Sequence, residues 1–283
     1  MVQFIPGRWP TMIRLSVVIP VYNEEGNIYD LYLSITDALK GTIESYEILL
    51  VNDGSKDRSS ILLNEIALMD PVVRVIHFKK SYGQTAAISA GLKSSKGELI
   101  ALMDADLQTD PRDIFRLMPF IGKVDFINGR RMERKENRLK IMPMRLGNGI
   151  RNWITGEELY DTGCPMKLFT REVADSFHLY NGMHYFLPTL AKMNGFSVVE
   201  VTVTHQKRKH GVSKYRILKG ICTRFMDAVV IGWLKKRGIL YHTDTATGVG
   251  RATVELYAKE AAKELSTDKG KDIERKKQRT AEH

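Results

Sequence analysis

The first hundred residues alternate between short continuous apolar runs and longer stretches with an apolar residue every three or four positions. Continuous runs rich in Val, Ile and Leu predict buried strands of a parallel sheet, and the wider spacing predicts helices packed against that sheet. The predicted strands are residues 15–21, 46–51, 72–78 and 98–103. The predicted helices are residues 27–40, a helix that ends at residue 69, and residues 84–94. Strands that alternate with helices indicate an α/β fold with a mostly parallel sheet and right-handed crossovers.

Residues 214–237 carry a different, amphipathic pattern. Apolar side chains occupy one half of a helical wheel, among them Phe225, Met226, Val229 and Trp233, and Lys and Arg residues flank them. The pattern is typical of a helix that lies in the headgroup layer of a membrane. It is equally typical of a helix packed on the sheet or at a subunit interface, and both interpretations stay open. Apolar residues also interrupt the opposite half of the wheel, which favours burial on more than one side.

The charge distribution narrows the class of partner. The chain of 283 residues has a formal net charge of +10, so a polyanionic partner is expected. Residues 207–237 contain ten Lys or Arg residues against the single acid Asp227. Cys164 and Cys222 have no metal-ligand spacing and are interpreted as free thiols in a reducing compartment. No stretch reaches the roughly 20 apolar residues that span a bilayer, so we expect a cytoplasmic protein, peripheral at the cytoplasmic face of the membrane.

Polar residues follow the predicted strands at the edge where ligands of parallel sheets bind. Asn23 and Glu24 follow the first strand, Asp53 the second, and Asp104 and Asp106 the fourth. Two carboxylates two residues apart at a strand end can converge on one divalent cation and leave coordination positions for diphosphate oxygens and water. No GxGxxG motif follows the first strand and no P-loop motif occurs, which argues against dinucleotide and P-loop sites.

At this point the sequence resembles glycosyltransferase family 2, and its later motifs resemble the polyprenyl-phosphate branch, similar to dolichol-phosphate mannosyl- and glucosyltransferases. The motifs of the first half are VIPVYNEE (18–25), NDGS (52–55), GQTAA (83–87) and MDADLQ (103–108). Those of the second half are NGRR (128–131), DTGC (161–164) with Lys167, and the segment from His205 through Arg208 to GVSKY (211–215). Together they cover roughly residues 14 to 240. Asn52 departs from the family, where many relatives carry Asp, and so does Ser81, where Asn is usual.

The resemblance implies a GT-A fold and displacement with inversion at the anomeric carbon. Together with the local patterns it predicts four parts of the chain: an N-terminal extension (1–13), a catalytic domain (14–213), an amphipathic, membrane-proximal helical segment (214–240), and a linker with a charged, partly disordered tail (241–283). It also implies that Asp104, Asp106 and Gln108 surround Mg²⁺ or Mn²⁺. The implied donor-binding residues are Pro20, Tyr22, Glu24, Asp53 and Gln84.

The acceptor of such an enzyme is a lipid phosphate, which needs fixed positive charge. Arg grips phosphate oxygens with a planar, bidentate fork. Arg131, Arg145 and Arg208 match basic positions of the family near the acceptor, and Lys214 lies in the matching GVSKY motif. The alternative interpretation is that these residues simply coat a solvated surface.

Asp161 has two interpretations. Its family position suggests a catalytic role, as a general base or in orienting the acceptor. A phosphate monoester has a second pKa near 6 and is already ionised at neutral pH, so the nucleophile hardly needs a base. The alternative is that Asp161 braces the cluster of Arg residues.

Two other functional classes compete with the enzyme. A basic nucleic-acid-binding protein fits the charge but lacks a recognised motif, so no nucleic acid is expected as partner. A catalytically inactive glycosyltransferase-like interaction module is disfavoured by the intact Asp104, Asp106 and Gln108. The expected partners are a UDP- or GDP-linked sugar, a polyprenyl phosphate and a membrane surface. Integral membrane partners and a homo-oligomer are compatible with the sequence, which does not specify the sugar.

Overall fold

The computed structural model of the protein describes residues 14–131, 152, 159–206 and 217–237. All described residues belong to one unit, Met1–Gly238. Their strands are β1 Leu15–Val21, β2 Tyr46–Asn52, β3 Val73–His77, β4 Leu99–Leu102, β5 Phe126–Arg131, β6 Lys167–Thr170 and β7 Val198–Val203. Their α-helices are α1 Ile28–Leu39, α2 Ser59–Met69, α3 Gln84–Ser94, α4 Ile114–Leu117, α5 Arg171–Ser176, α6 Leu187–Met193 and α7 Ile217–Arg237. Short 3₁₀ helices occupy Pro111–Asp113, Met118–Phe120 and Met183–Phe186.

The described strands form one sheet in the order β3-β2-β1-β4-β6-β5-β7. Strand β6 runs antiparallel to β4 and β5, and the remaining pairs are parallel. The predicted mostly parallel α/β sheet is therefore confirmed. The elements predicted in the first half agree with the observed ones to within one residue at each compared end. Strands β5, β6 and β7 were not predicted individually.

The core lies on both faces of the sheet because successive residues of a strand point to opposite faces. Leu15, Val17 and Ile19 of β1 pack with the buried side chains of α1 and α2, whereas Val18 packs with those of α3, α5 and α6. Both faces of β1 are thus covered, which explains its continuous apolar run.

Helix α7 is fastened to the domain by a separate apolar cluster. Ala228 and Ile231 pack against Met183, Phe186 and Leu190, from the 3₁₀ turn before α6 and from α6 itself. None of the helices in the described part of the chain is long and apolar enough to cross a bilayer. The predicted amphipathic segment is helical over Ile217–Arg237. The extension 1–13 and the tail 241–283 lie outside the described residues.

Candidate functional site

Three parallel strands end at the edge where the sequence predicts the site. Val21 of β1 lies opposite Asn52 of β2, and Val18 of β1 lies opposite Leu102 of β4. Because parallel strands share one carboxyl edge, the residues that follow them meet there. These residues are the ones singled out by sequence: Tyr22, Asn23, Glu24, Asp53 and Asp104.

Asp53 binds the loop that borders this edge of the sheet. Asp53 is 4% exposed, and its carboxylate accepts hydrogen bonds from the hydroxyl of Ser81 (2.7 Å) and from the backbone N–H groups of Tyr82 (2.7 Å) and Gly83 (2.9 Å). Asp53 therefore fixes the loop that leads into α3, and its contact with a nucleotide stays a prediction. Ser81, which departs from the family, is one of the groups that hold it.

The neighbouring Gly54 allows this loop to approach. Its φ is +65°, and a Cβ at this position would lie 2.4 Å from the carbonyl carbon of Lys80. A residue with a side chain would clash with the backbone there, so the NDGS turn requires Gly.

The loops after β1 and β2 are tied together. The backbone N–H of Asn23 donates to the hydroxyl of Ser55 (2.9 Å), and the side-chain oxygen of Asn23 accepts from the N–H of Lys56 (2.7 Å). Asn23 has φ 51°, a left-handed conformation that Asn adopts more readily than most residues. The predicted donor residues at this edge, all half-buried, are Pro20, Tyr22 and Glu24.

Two cavities flank the 81–83 loop. One, of about 300 Å³, lies at the ends of β2 and β3 and is lined in part by Asn52, His77 and Lys80. The other, of about 370 Å³, lies between α3 and residues 179–181. Neither is lined by Asp104 or Asp106, so the candidate metal site lies outside both cavities.

The Asp104–Asp106 segment is fixed from two sides. The side-chain amide of Gln84, at the start of α3, donates to Asp104 Oδ1 at 2.9 Å. Asp106 is 7% exposed, and its Oδ1 accepts from the backbone N–H of Gln108 at 3.1 Å. Leu107 between them has φ 60°, a conformation that is uncommon for residues other than Gly and is found where surrounding structure holds a functional loop.

The oxygen ligands of this segment suit a hard divalent cation. Mg²⁺ in nucleotide sites is typically bound by one or two carboxylates together with substrate phosphates and water. Asp104 and Asp106 supply two carboxylates, and Gln108 brings an amide oxygen. No cluster of three or more His, Cys, Asp or Glu residues with metal-binding geometry occurs in the described ranges. The oxygen atoms of Asp104, Asp106 and Gln108 fit a cation that also binds diphosphate oxygens and water.

The end of β7 docks against the same segment. The backbone N–H of Gln206 donates to the carbonyl of Gln108 at 2.8 Å, and the Gln108 side-chain amide reaches the carbonyl of Gln206 at 3.4 Å. Gln206 precedes the basic stretch that contains Arg208. The predicted acceptor residues Arg145, Arg208 and Lys214 lie outside the described residues, so their roles stay predictions.

Arg131 and Asp161 form a two-pronged ion pair. Arg131 Nε–H donates to Asp161 Oδ2 and Arg131 Nη2–H to Asp161 Oδ1, each at 2.7 Å. The backbone N–H of Arg131 also donates to Oδ2 at 3.2 Å. The side chain of Arg131 is 30% exposed and that of Asp161 is 14% exposed. The structure thus brings together Arg131, a predicted acceptor residue, and Asp161, for which two interpretations were open. The contacts agree with the interpretation that Asp161 supports an Arg side chain.

The ion pair changes the acidity of both groups. Burial by itself would raise the pKa of Asp161, but the hydrogen bonds and charge of Arg131 outweigh it and lower the pKa below its usual range. The same hydrogen bonds to Asp161 raise the pKa of Arg131. A carboxylate with a lowered pKa is a weak base, which favours an orienting role for Asp161.

The predicted metal ligand Asp104 and the predicted acceptor residue Arg131 share one electrostatic environment. The carboxylate of Asp104 contributes to the raised pKa of Arg131, so the candidate metal ligand lies within electrostatic reach of the guanidinium. Asp104 also acts on the pKa of the buried Lys167, which burial lowers. Cys164 lies in this region, and burial raises the pKa of its thiol to about 11, so it is not a nucleophile at neutral pH.

Two residues of this region were not assigned a role from the sequence. Asn128 follows Phe126 and Ile127 in β5, and Glu200 lies between Val residues in β7; the two side chains hold the backbone on either side of Asp161. A charged or amide side chain inside an apolar strand is a signal that could have been used.

The outward face of α7 is apolar. Phe225, Met226, Val229, Val230 and Trp233 are between 40% and 58% exposed, while Ala228 and Ile231, on the opposite face, are 3% and 0% exposed. Soluble proteins usually direct the polar face of a surface helix outward. Here the packed face and the exposed face are both apolar, and three basic residues follow: Lys235, Lys236 and Arg237.

The fold and the strand-end carboxylates define a class, and comparison with known proteins agrees. The family model of glycosyl transferase family 2 matches residues 16–177, more than half of the chain. The chain belongs to this family.

Two relatives characterise the branch. The chain is 38% identical over 210 residues to the undecaprenyl-phosphate 4-deoxy-4-formamido-L-arabinose transferase of Pseudomonas paraeruginosa, covering 72% of this chain and 61% of that protein. It is 33% identical over 211 residues to the dodecaprenyl-phosphate galacturonate synthase of Rhizobium johnstonii, covering 72% of this chain and 62% of that protein. The chain thus spans about three fifths of the length of these relatives.

Solved structures support the fold. Glucosyl-3-phosphoglycerate synthase from Mycobacterium tuberculosis, in complex with Mn²⁺ and UDP-glucose, superposes with a TM-score of 0.59 at 17% identity, covering 78% of this chain and 79% of that one. The complex of the same enzyme with Mn²⁺, UDP and glucosyl-3-phosphoglycerate gives a TM-score of 0.57 at 19% identity, covering 84% and 83%. The GT-A fold implied by the motifs is confirmed.

Proposed function

We propose that this chain is a metal-dependent, inverting glycosyltransferase that transfers a sugar from a nucleoside diphosphate to a polyprenyl phosphate at the cytoplasmic face of a membrane. The observation that carries the proposal is the meeting of two groups at one edge of the sheet. The Asp104 carboxylate lies within electrostatic reach of the Arg131 guanidinium, which the hydrogen bonds of Asp161 hold in place. A donor diphosphate and an acceptor phosphate therefore have separate charged partners close to one another.

The donor side consists of groups that are already fixed in position. Gln84 holds Asp104, and Asp53 holds the loop before α3. A cation bound at Asp104 and Asp106, Mg²⁺ or Mn²⁺, would neutralise charge on the departing nucleoside diphosphate. Asp104, Asp106 and Gln108 would hold that cation, and the cation would supply the positive charge that binds and positions the diphosphate.

The acceptor side is organised around Arg131. Two of its five N–H groups are used by Asp161, which leaves three others, including both on Nη1, for phosphate oxygens. Asp161 holds the guanidinium plane, so less rotamer entropy is lost when phosphate binds. The names of the relatives, both polyprenyl-phosphate sugar transferases, support this class of acceptor.

The exposed face of α7 supports membrane contact. It offers apolar side chains with Trp233 among them and a basic C-terminal turn, the combination that anionic headgroup layers attract. A lipid acceptor buried in a bilayer requires that the enzyme lie against the membrane surface.

A donor screen tests the proposal. Purified protein with Mn²⁺ and a short polyprenyl phosphate is incubated with UDP- and GDP-linked hexoses, N-acetylhexosamines, pentoses and hexuronates, and lipid products are identified by mass spectrometry. We expect one donor class to yield a polyprenyl-phosphate sugar of inverted anomeric configuration. Absence of lipid-linked sugar with every donor, despite nucleotide binding, would favour an inactive interaction module.

A further inference from the structure

Three polar side chains stand side by side across adjacent strands. Asn128 of β5 is the register partner of Lys167 in antiparallel β6 and of Glu200 in parallel β7. Asn128 is 0% exposed and Lys167 is 3% exposed, and Glu200 is half-buried. Burying such groups costs several kcal/mol unless hydrogen bonds compensate. We call Asn128, Lys167 and Glu200 the polar row. Their hydrogen-bond partners indicate which part of the protein the row stabilises.

The polar row binds the backbone of the 160–164 loop. Glu200 accepts from the N–H of Tyr160 with Oε2 (2.8 Å) and from the N–H of Asp161 with Oε1 (2.9 Å). The side-chain amide of Asn128 donates to the carbonyl of Asp161 at 2.9 Å. Lys167 Nζ donates to the carbonyl of Thr162 at 3.0 Å and to that of the residue two positions further on, Cys164. Backbone groups on both sides of the Asp161 side chain are thereby fixed.

The hydrogen-bond partners of Lys167 are those expected for an ammonium group. Its third partner is Asn128 Oδ1, at 2.9 Å. That atom is the oxygen, because Asn128 Nδ2 faces only acceptors: the carbonyls of Gly129 and Asp161 and a carboxylate oxygen of Glu200. Three acceptors around Nζ match the three N–H groups of the protonated amine. The row therefore contains a buried cation and a carboxylate bridged by an amide.

The loop is also packed closely against β5. A Cβ at Gly129 would lie 2.7 Å from the carbonyl oxygen of Met166 and 2.8 Å from Cys164 Sγ. Gly at this position lets the loop lie directly on the strand whose last residue is Arg131. Strand and loop together set the distance between Arg131 and Asp161.

We infer that Lys167 and Glu200 are positioning residues: they hold the 160–164 loop so that the Asp161 carboxylate orients Arg131 for the acceptor phosphate. The inference rests on the proposed function for the identity of the acceptor. Its structural part, that Glu200 holds the loop, does not depend on the reaction.

Glu200→Gln is the variant that tests the inference. Both carboxylate oxygens accept from N–H donors, so in either orientation the Gln amide places an NH₂ group opposite a donor. Glu200→Asp keeps two acceptor oxygens and serves as the conservative variant. Glu172→Gln, on the exposed side of α5, is the matched control for the change of charge.

Two measurements are made on each variant. Hydrogen exchange of the Tyr160 and Asp161 amides should speed up about tenfold in Glu200→Gln and remain unchanged in the control. Transfer efficiency at varied polyprenyl phosphate should fall roughly 10- to 100-fold, with a raised KM for the acceptor and an unchanged KM for the donor. Glu200→Asp should recover part of the loss. UDP or GDP binding in the presence of Mn²⁺ confirms that each variant is folded.

The outcomes are distinct. Unchanged amide exchange in Glu200→Gln overturns the role of Glu200 in holding the loop. Faster amide exchange with unchanged acceptor kinetics overturns the positioning role. An equal rise in the KM values for donor and acceptor overturns it as well. If the wild-type protein transfers no sugar, the proposed function fails, whereas the exchange comparison still decides whether Glu200 holds the loop. Lys167→Met, which removes the cation, should likewise loosen the loop, and Lys167→Arg should loosen it less.

Discussion

The guanidinium of Arg131 is held by Asp161 through two parallel hydrogen bonds of 2.7 Å, although the two residues are 30 positions apart in the chain. A guanidinium without such a partner samples several rotamers, whereas this one presents its remaining N–H groups in a fixed plane. The pair therefore fixes the plane in which Arg131 would meet the acceptor phosphate of the proposed reaction.

Replacement of Arg131 should lower the transfer efficiency at varied polyprenyl phosphate and leave the affinity for the nucleotide sugar unchanged. Arg131→Ala removes a charge-assisted contact worth roughly 1.5 to 3 kcal/mol, which is about 10- to 150-fold in transfer efficiency. Arg131→Lys should recover only part, because an ammonium cannot form the two-pronged contact. Kinetics at varied polyprenyl phosphate, with nucleotide-sugar binding by calorimetry, measure both effects. Arg112→Ala, in an exposed ion pair with Asp37, is the control. Parallel loss of nucleotide binding would assign Arg131 to the donor diphosphate instead.

The pH dependence of transfer separates the two roles of Asp161. Arg131 lowers the pKa of Asp161, so the carboxylate stays ionised, and the stability it contributes is lost only as pH falls through that lowered pKa. The acceptor phosphate has its second pKa at about 6, so transfer should decline below about pH 6 because the nucleophile gains a proton. Asp161→Asn should lower the rate at every pH and keep the same acidic limb. A profile in which Asp161→Asn abolishes that limb would make Asp161 a general base.

Metal-dependent transfer should require the carboxylates of Asp104 and Asp106. Asp104→Asn keeps an acceptor for Gln84 but removes the charge that a divalent cation requires, so transfer should fall by at least about 100-fold. Gln84→Ala keeps both carboxylates but removes the hydrogen bond that orients Asp104, so we expect the transfer rate to fall about tenfold. Titration of Mn²⁺ into the protein with UDP or GDP, followed by electron paramagnetic resonance, reports the metal directly. The control is Asp175→Asn on α5, which is 66% exposed. Full wild-type transfer in excess EDTA would contradict the assignment.

Membrane binding should depend on the outward face of α7. Phe225→Glu combined with Trp233→Glu should reduce sedimentation with vesicles of anionic phospholipid about tenfold or more, because two apolar contacts are lost and two repelled charges are added. High salt should weaken the binding of the wild-type protein. The matched control carries Leu33→Glu and Leu68→Glu, which change exposed apolar residues of α1 and α2. Equal losses in both double variants would indicate a general charge effect instead of a contact through α7.

The first half of the fold was predictable from local pattern because β1, β2 and β4 are covered on both faces and therefore read as continuous apolar runs. The second half was not, since β5 contains Asn128 and two Arg residues and β6 is only four residues long. Their place in the sheet depends on pairing with strands far away in the chain, and that pairing leaves no local periodicity.

The sequence by itself determined the family, the strand-end carboxylates and the face of α7 that carries Phe225 and Trp233, because motif spacing and helical periodicity are local properties of the chain. Only the tertiary structure decided that this face points outward while Ile231 is buried, since which side of a helix is covered depends on what packs against it. It also decided the partner of Arg131 and the contacts of Lys167, which come from loops and strands brought together by folding. A side chain's type sets which contacts it can form, and the fold sets which of them it does form.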